Sequence, residues 1–336
     1  TTLIIGILVS FFTAVFITRI VYEHFMNKDK WLNLTFTTKI SKNLMTNTHF
    51  DFMGTNKKSL IIVSAIIVVC IGSFAIRGLS QSIDFTGGRN FKVQFENPVE
   101  PEQVRELISS KFGDANVSVI AIGTDKKTVR ISTNYRIEDE GNNVDSEIES
   151  YLYETLKPVL TQNITLETFI DRDNHTGGSI VSSQKVGPSI ADDIKTGAIY
   201  SVVLALLAIG LYILLRFRNI AYSIGSIVAL SCDTIMIIGA YSLFWGILPF
   251  SLEIDQTFIG AILTAIGYSI NDKVVIFDRV REFFGLYPKR DKRVLFNDSL
   301  NTTLARTINT SLSTLIVLLC IFILGGDSIR SFAFAM

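Results

Sequence analysis

The sequence predicts a multi-pass α-helical membrane protein with one small α+β domain hung between two of its spans. Three observations lead there. Hydrophobic residues make up 48% of the chain and charged ones 18%, with mean hydropathy +0.39, too apolar for an ordinary soluble protein of this length. The apolar residues gather into six runs near the ~20-residue length that crosses a bilayer core. Between the second and third runs lies a polar stretch that alternates strand-like and helix-like patterns. Net charge is zero, so no nucleic acid or other polyanion follows from the balance, and the informative charges are the positions of Lys and Arg.

The runs cover residues 2–18, 59–77, 196–215, 220–246, 254–277 and 301–324. Basic residues set their direction. Arg19, Lys28, Lys30, Lys39, Lys42, Lys57 and Lys58 fall in one link, Arg216 and Arg218 in another, and Arg279, Arg281, Lys289, Arg290, Lys292 and Arg293 in a third, whereas 247–253 has none. The positive-inside rule places the three basic links in the cytoplasm and 78–195 outside. The expected organisation is a partial span at 1–18, a cytoplasmic link at 19–58, a span at 59–79, an outer domain at 80–192, four further spans within 193–326 and the start of another segment at 327–336. The link contains Trp31, Phe36, Phe50 and Phe52; it reads either as a surface-lying segment or as a connector between two halves of a larger protein. The chain begins and ends in mid-pattern, at Thr1-Thr-Leu-Ile and Phe334-Ala-Met336, without a signal-peptide n-region, so a longer parent polypeptide is expected.

The outer segment reads as a compact domain. Phe91, Val93 and Phe95 alternate along a strand over Arg89 to Phe95. Pro101 opens a helix to Phe112 with Val104, Leu107, Ile108 and Phe112 on one face. Strands are expected at Val117 to Ile122 and Thr128 to Ser132, joined by the turn Gly123 to Lys127. A second helix follows at Ser146 to Leu160, with Ile148, Tyr151, Leu152 and Leu156 inward, then β segments at Ile164 to Ile170 and Ser179 to Val186. The order β-α-β-β-α-β is that of a ferredoxin-like split βαβ unit. At its two roots stand Asp84-Phe-Thr-Gly-Gly88 and Val186-Gly187-Pro188, which by themselves read as turns.

Cys70, Cys232 and Cys320 each fall in an apolar run and read as small buried hydrophobes. His24, His49 and His175 show no metal-ligand spacing. The exceptional residues are acids inside the spans, because an aspartate at the centre of a membrane helix costs roughly 2.5–3.5 kcal/mol. Thr264, Tyr268 and Asp272 recur at helical spacing with Asn271 alongside, and Gly260 and Gly267 suit the close approach of a neighbouring helix. The next run carries Thr303, Arg306, Thr307, Asn309, Thr310, Ser313 and Thr314. Asp272 and Arg306 each lie six residues from the cytoplasmic surface, roughly 9 Å deep at 1.5 Å per residue. At that common depth an ion pair or a water-bridged pair is open to them; the alternative for Arg306, as for Lys273, is snorkelling to the interface. Asp233, near the middle of its span, reads as a helix–helix hydrogen-bond anchor or an outer stop on a proton path. An acid beside a fixed guanidinium is under two opposed influences, low dielectric and opposite charge, whose balance small movements shift. Such a group can load and release an ion across a potential worth about 2.3 kcal/mol per charge per 100 mV. No nucleophile, metal cluster or phosphate-binding loop appears, so the chain reads as no enzyme.

Together these motifs resemble the SecD/SecF protein-export membrane proteins. Asp84-Phe-Thr-Gly-Gly88, Val186-Gly-Pro188, Arg216-Phe-Arg218 and Gly267-Tyr-Ser-Ile-Asn-Asp272 with Val274 to Glu282 look like SecF, and Thr2 to Leu8 is similar to the last span of SecD. The resemblance implies the end of a SecD half joined to most of SecF, with a resistance-nodulation-division type bundle and a periplasmic ferredoxin-like domain in the bacterial inner membrane. It implies an ion path through Asp272 and Arg306, with Asn271 and Asp233 as further candidates, and Asp84, Gly87, Gly88, Gly187 and Pro188 as motif residues. No cofactor is implied beyond the coupling ion, H⁺ or in some members Na⁺. Implied partners are the SecYEG translocon, the translocating preprotein, the missing SecD half, and YajC and YidC as further candidates. Lys273 departs from the pattern, which has a small residue there. Competing readings are a small-molecule or lipid exporter of the same superfamily, whose outer domains are much larger, and a non-energised scaffold for the translocon.

Overall fold

All the apolar runs but 220–246 fold into helices longer than the run, because polar residues at the ends keep the backbone hydrogen-bonded beyond the bilayer core. The computed structural model describes residues 2–28, 49–113, 115–122, 125–139, 144–161, 164–173, 178–248 and 250–336. It divides into two units, residues 1–48 and 49–336. In the first, α1 (Thr2–Phe12), a π turn (Thr13–Ile17) and α2 (Thr18–Met26) follow one another, so the helix passes the expected end at residue 18. Residues 29–48 of the link, with Trp31 and Phe36, lie outside the described residues.

The second unit holds a helix bundle and a sheet domain. Helix α3 (Phe52–Arg77) starts seven residues before the apolar run. Its first turn is held by α11 (Lys292–Leu324): Phe52 and Met53 N–H donate to Asn297 Oδ1 at 2.8 and 3.3 Å, and Phe50 exchanges two backbone bonds with the Asn301 amide, both 2.9 Å. The end of the supposed link is therefore part of the bundle. Helices α8 (Pro188–Phe217), α9 (Ile220–Phe244) and α10 (Gln256–Leu286) complete the long set, and six helices among the described residues are long and apolar enough to cross a membrane. Asp255 caps α10, accepting from Phe258 N–H at 2.9 Å. A short α12 (Asp327–Ala335) follows α11 and is held by Tyr241, whose Oη donates to Ser331 O at 2.5 Å.

Close helix contacts occur where the sequence offered no special signal. Gly239 on α9 faces Cys70 on α3 so tightly that an added Cβ would lie 2.1 Å from Cys70 Cβ and 2.8 Å from its Cα. Gly260 and Gly267 meet nothing within 4 Å, so the close approach expected there is absent from this unit; they share the open side of α10 with Thr264 and Tyr268. Gly239→Leu is expected to part α3 from α9, at a cost of at least the ~1–3 kcal/mol typical of overpacking. Gly225→Ala, on the same helix with open space around it, is expected to leave thermal stability in detergent unchanged; equal melting temperatures for both variants would refute the contact.

The sheet domain comprises α4 (Ile83–Thr86), β1 (Gly88–Phe95), α5 (Pro101–Phe112), β2 (Val117–Ile122), β3 (Thr128–Thr133), α6 (Val144–Leu156), α7 (Leu166–Ile170) and β4 (Gly178–Val186). The strands are antiparallel in the order β2-β3-β1-β4, the ferredoxin-like arrangement. Phe91, Val93 and Phe95 are buried on one face with Val104, Ile108, Phe112, Ile148, Leu152 and Leu156. Two expectations fail. Ile164 to Ile170 is not a strand but contains α7, because Thr165 caps a helical turn by accepting from Thr168 N–H at 3.3 Å. Tyr151 is 51% exposed, and the polar Glu149 is buried in its stead, bonded by Arg172 at 3.3 Å. α6 also ends at Leu156, four residues early. Of the turn 123–127, residues 123 and 124 lie outside the described residues.

Candidate functional site

The polar residues of α10 divide among a side facing α9, a side facing α11 and an open side. Ser269 and Lys273, one turn apart, point to α9. There Asp233 accepts from Lys273 Nζ at 2.7 Å and from Ser269 Oγ at 2.6 Å, and Lys273 also bonds Ser269. Both charged side chains are partly covered, Lys273 at 21% and Asp233 at 33% exposure. Lys273 therefore does not snorkel: the backbone of α10 aims it at α9, where an acid waits at the same depth. Nothing cationic near Asp233 in sequence announced this pair, and Ser269 was missed; the signal present was the i, i+4 spacing of Ser269 and Lys273.

Asp272, about 100° further round the helix, faces α11. Its Oδ1 accepts a long bond from Thr310 Oγ1 at 3.4 Å, and the same hydroxyl reaches Arg306 O at 3.1 Å, one turn earlier on α11. The structure thus sets Asp272 within a turn of Arg306 on adjacent helices, without ion-pair contact between them, and Arg306 is exposed. Asn271 is exposed on the open side of α10, and no side-chain hydrogen bond joins it to Asp233, Asp272 or Arg306. At the C-terminal end of α10 two motifs meet: Arg216 Nη2 donates to Asp278 Oδ2 at 3.2 Å, and Phe217 and Tyr222 pack on Phe277 with ring centroids at 5.7 and 4.7 Å.

The opposite end of α10 is joined to the root of the sheet domain. Ser82 N–H donates to Ile254 O at 3.0 Å and Ile254 N–H to Ser80 O at 2.8 Å, while Gln256 N–H reaches Asp84 Oδ2 at 3.4 Å. Gly87 has φ +74° and lies 3.4 Å, by an added Cβ, from Pro188 and from Val186 O. Gly88 pairs with Val186 at the start of β1–β4. The exit motif and the return motif are therefore one joint, with Gly187 as the N-cap residue of α8 and Pro188 as its first residue. Arg89 follows, 1% exposed, donating to Asp145 at 2.7 Å and to Tyr135 O and Arg136 O at 3.0 and 3.1 Å.

These two features, a glycine joint at the root of the sheet and charged residues inside a helix bundle, coincide with two family models. Residues 72–99 match the SecD/SecF GG motif and residues 142–336 the C-terminal part of the protein export membrane proteins SecD/SecF. The chain belongs to the SecD/SecF family of protein-export membrane proteins. It is 37% identical to a protein translocase subunit SecF of Rhodothermus marinus over 290 residues, 86% of this chain and 87% of that one. It is 31% identical to the protein translocase subunit SecDF of Thermus thermophilus over 85% of this chain and 35% of that one. The crystal structure of the Thermus SecDF superposes with TM-score 0.67 at 28% identity, over 87% of this chain and 36% of that one; a super-membrane-facing form of SecDF gives 0.56 at 29%. This SecF-type chain thus spans little more than a third of the SecDF structures it resembles. It is a multi-pass protein of the inner membrane.

Proposed function

We propose that this chain is the SecF part of an ion-driven accessory to the Sec translocon, which assists export of preproteins across the bacterial inner membrane. The observation that carries the reading is the placement of Asp272 on α10 with its carboxylate reached by Thr310, one turn from Arg306 on α11. Asp272 loads and releases the ion, and Arg306 supplies the fixed positive charge that sets when it does so. The exposed side of these residues is the place for the SecD half of the site, and Asp233 with Lys273 forms a separate, internally neutralised pair. The coupling ion on this reading is H⁺, with Na⁺ as the alternative, and the partners are SecYEG and the preprotein. The names of the relatives, protein translocase subunits SecF and SecDF, support the export role.

The test is export of a secreted reporter in cells that depend on the full-length protein. Asp272→Asn and Arg306→Met, at wild-type abundance in the membrane, are each expected to reduce export at least tenfold, and collapsing the proton gradient is expected to slow the wild type to the same level. Wild-type export rates in both variants would end the ion-path reading.

A further inference from the structure

The second face of the sheet is turned to the bundle. Ser118 stands opposite Ser132 and Ile120 opposite Arg130 in the β2–β3 register, so these four share the face away from the helices of the domain. Glu253, two residues before the cap of α10, is received there. One of its carboxyl oxygens meets the Ser118 hydroxyl. The other is buried without a partner, and so is Nε of Arg130. A buried carboxylate with a bare oxygen near a guanidinium with a bare N–H is an arrangement an anion would not keep, since unpaired buried charge is far more costly than a neutral acid.

We propose that Glu253 is a further proton-binding residue of the coupling cycle, neutral in its buried seat and turning to Arg130 when ionised, so that its proton sets the root of α10 against the sheet domain. The proposal rests on the ion-coupled reading above and adds to it a second titrating group, at the other end of the helix that carries Asp272. The lever is short and stiff. Ile254 is bonded through its backbone to Ser80 and Ser82, and Gln256 to Asp84, so a shift of Glu253 acts on both the glycine joint and α10. The proton leaves to the water of a cleft of about 800 Å³ that Glu253 lines between β2, the start of α5 and the loops of the bundle.

Burial pushes the Glu253 carboxyl up from 4.5; the Ser118 hydrogen bond and the Arg130 charge hold it down in part, and Asp255 adds to the rise. Glu100, just before α5, and Glu102 and Arg105 of α5 line the same cleft. The buried carboxyl therefore binds its proton more tightly than a free glutamate does. The neutral form is fully favoured below 4.5 and lost as pH rises through the raised value.

Two readouts on the full-length protein in lipid vesicles test this, and neither needs export. Infrared titration of the wild type against Glu253→Gln is expected to show the carbonyl stretch of one neutral carboxylic acid persisting above 4.5, absent from the variant, with its midpoint moved to higher pH in Arg130→Gln and in Ser118→Ala. Spin labels at Glu106→Cys and Ile247→Cys, with the native cysteines replaced by alanine, are expected to give a distance that changes with the same midpoint in the otherwise unaltered protein and is independent of pH in Glu253→Gln. Loss of the acid band at the ordinary glutamate value, an unmoved midpoint in both partner variants, or a distance that ignores pH in the otherwise unaltered protein would each overturn the proposal. Because the Asp272→Asn test reads export, failure of one reading is separable from failure of the other.

Discussion

Gly88→Val is expected to abolish the folded joint at the base of the sheet domain. An added Cβ at Gly88 would lie 2.7 Å from Thr133 O and 2.6 Å from the Ile83 side chain. The first is the backbone of the neighbouring strand and cannot turn aside, so the substitution must part β1 from β3 or push α4 out of its seat. Gly88 also has φ +154°, in a region that residues with a Cβ rarely enter. Overpacking and backbone strain of about 1–3 kcal/mol each consume much of the 5–15 kcal/mol that holds a typical domain. The loss is read as protease sensitivity of residues 88–186 in membranes and as a failure to accumulate. Gly187→Ala supplies the contrast, since its Cβ would meet nothing within 4 Å and its φ is an ordinary −68°. If Gly88→Val is as resistant as the wild type while Gly187→Ala is not, the joint has been misassigned.

Lys273→Met is expected to lower stability by about 1–3 kcal/mol, because it strands Asp233 between α9 and α10. The figure sits below the 3–5 kcal/mol of a fully buried pair, since Asp233 keeps 33% of its side-chain surface. Asp233→Asn alone leaves the ammonium without its partner and costs a similar amount. The double variant removes both charges and is expected to recover most of the loss, giving a coupling energy above ~0.5 kcal/mol in a cycle of unfolding titrations in mixed micelles. Strictly additive single losses would show that the 2.7 Å contact contributes no coupling. The same cycle separates this pair from Asp272, whose replacement is expected to alter export with little effect on stability, its hydrogen bond from Thr310 being long at 3.4 Å.

Much of this was legible in the residues. Alternation of Phe91, Val93 and Phe95 fixed which face of β1 would be buried, because a strand has only two faces, and the helical spacing of Val104, Ile108 and Phe112 did the same for α5. Local capping defeated that logic at Thr165, where one hydroxyl holding a backbone N–H turned an expected strand into α7. Helix ends were misplaced for a related reason: hydropathy reports where lipid begins, whereas Asn297, Asn301 and Asp255 decide where hydrogen bonding begins. The candidate site was legible as residue types but not as partners. An acid in an apolar span declares its own cost, and so Asp272 and Asp233 stood out at once.

The sequence alone, then, determined that the chain spans a membrane, carries a ferredoxin-like domain between two spans and holds rare charges at Asp233, Asp272 and Arg306, because the energetic penalty of each such residue is written in its own neighbourhood. Tertiary structure alone decided that Lys273 neutralises Asp233, that Gly239 rather than Gly260 or Gly267 admits a neighbouring helix, that the two glycine motifs form one joint, and that Glu253 is enclosed between Ser118 and Arg130. Those pairings depend on the rotation of each helix about its axis and on which strands become neighbours. Residues far apart in the chain settle both, since the bundle and the sheet bury their shared surface only in that arrangement.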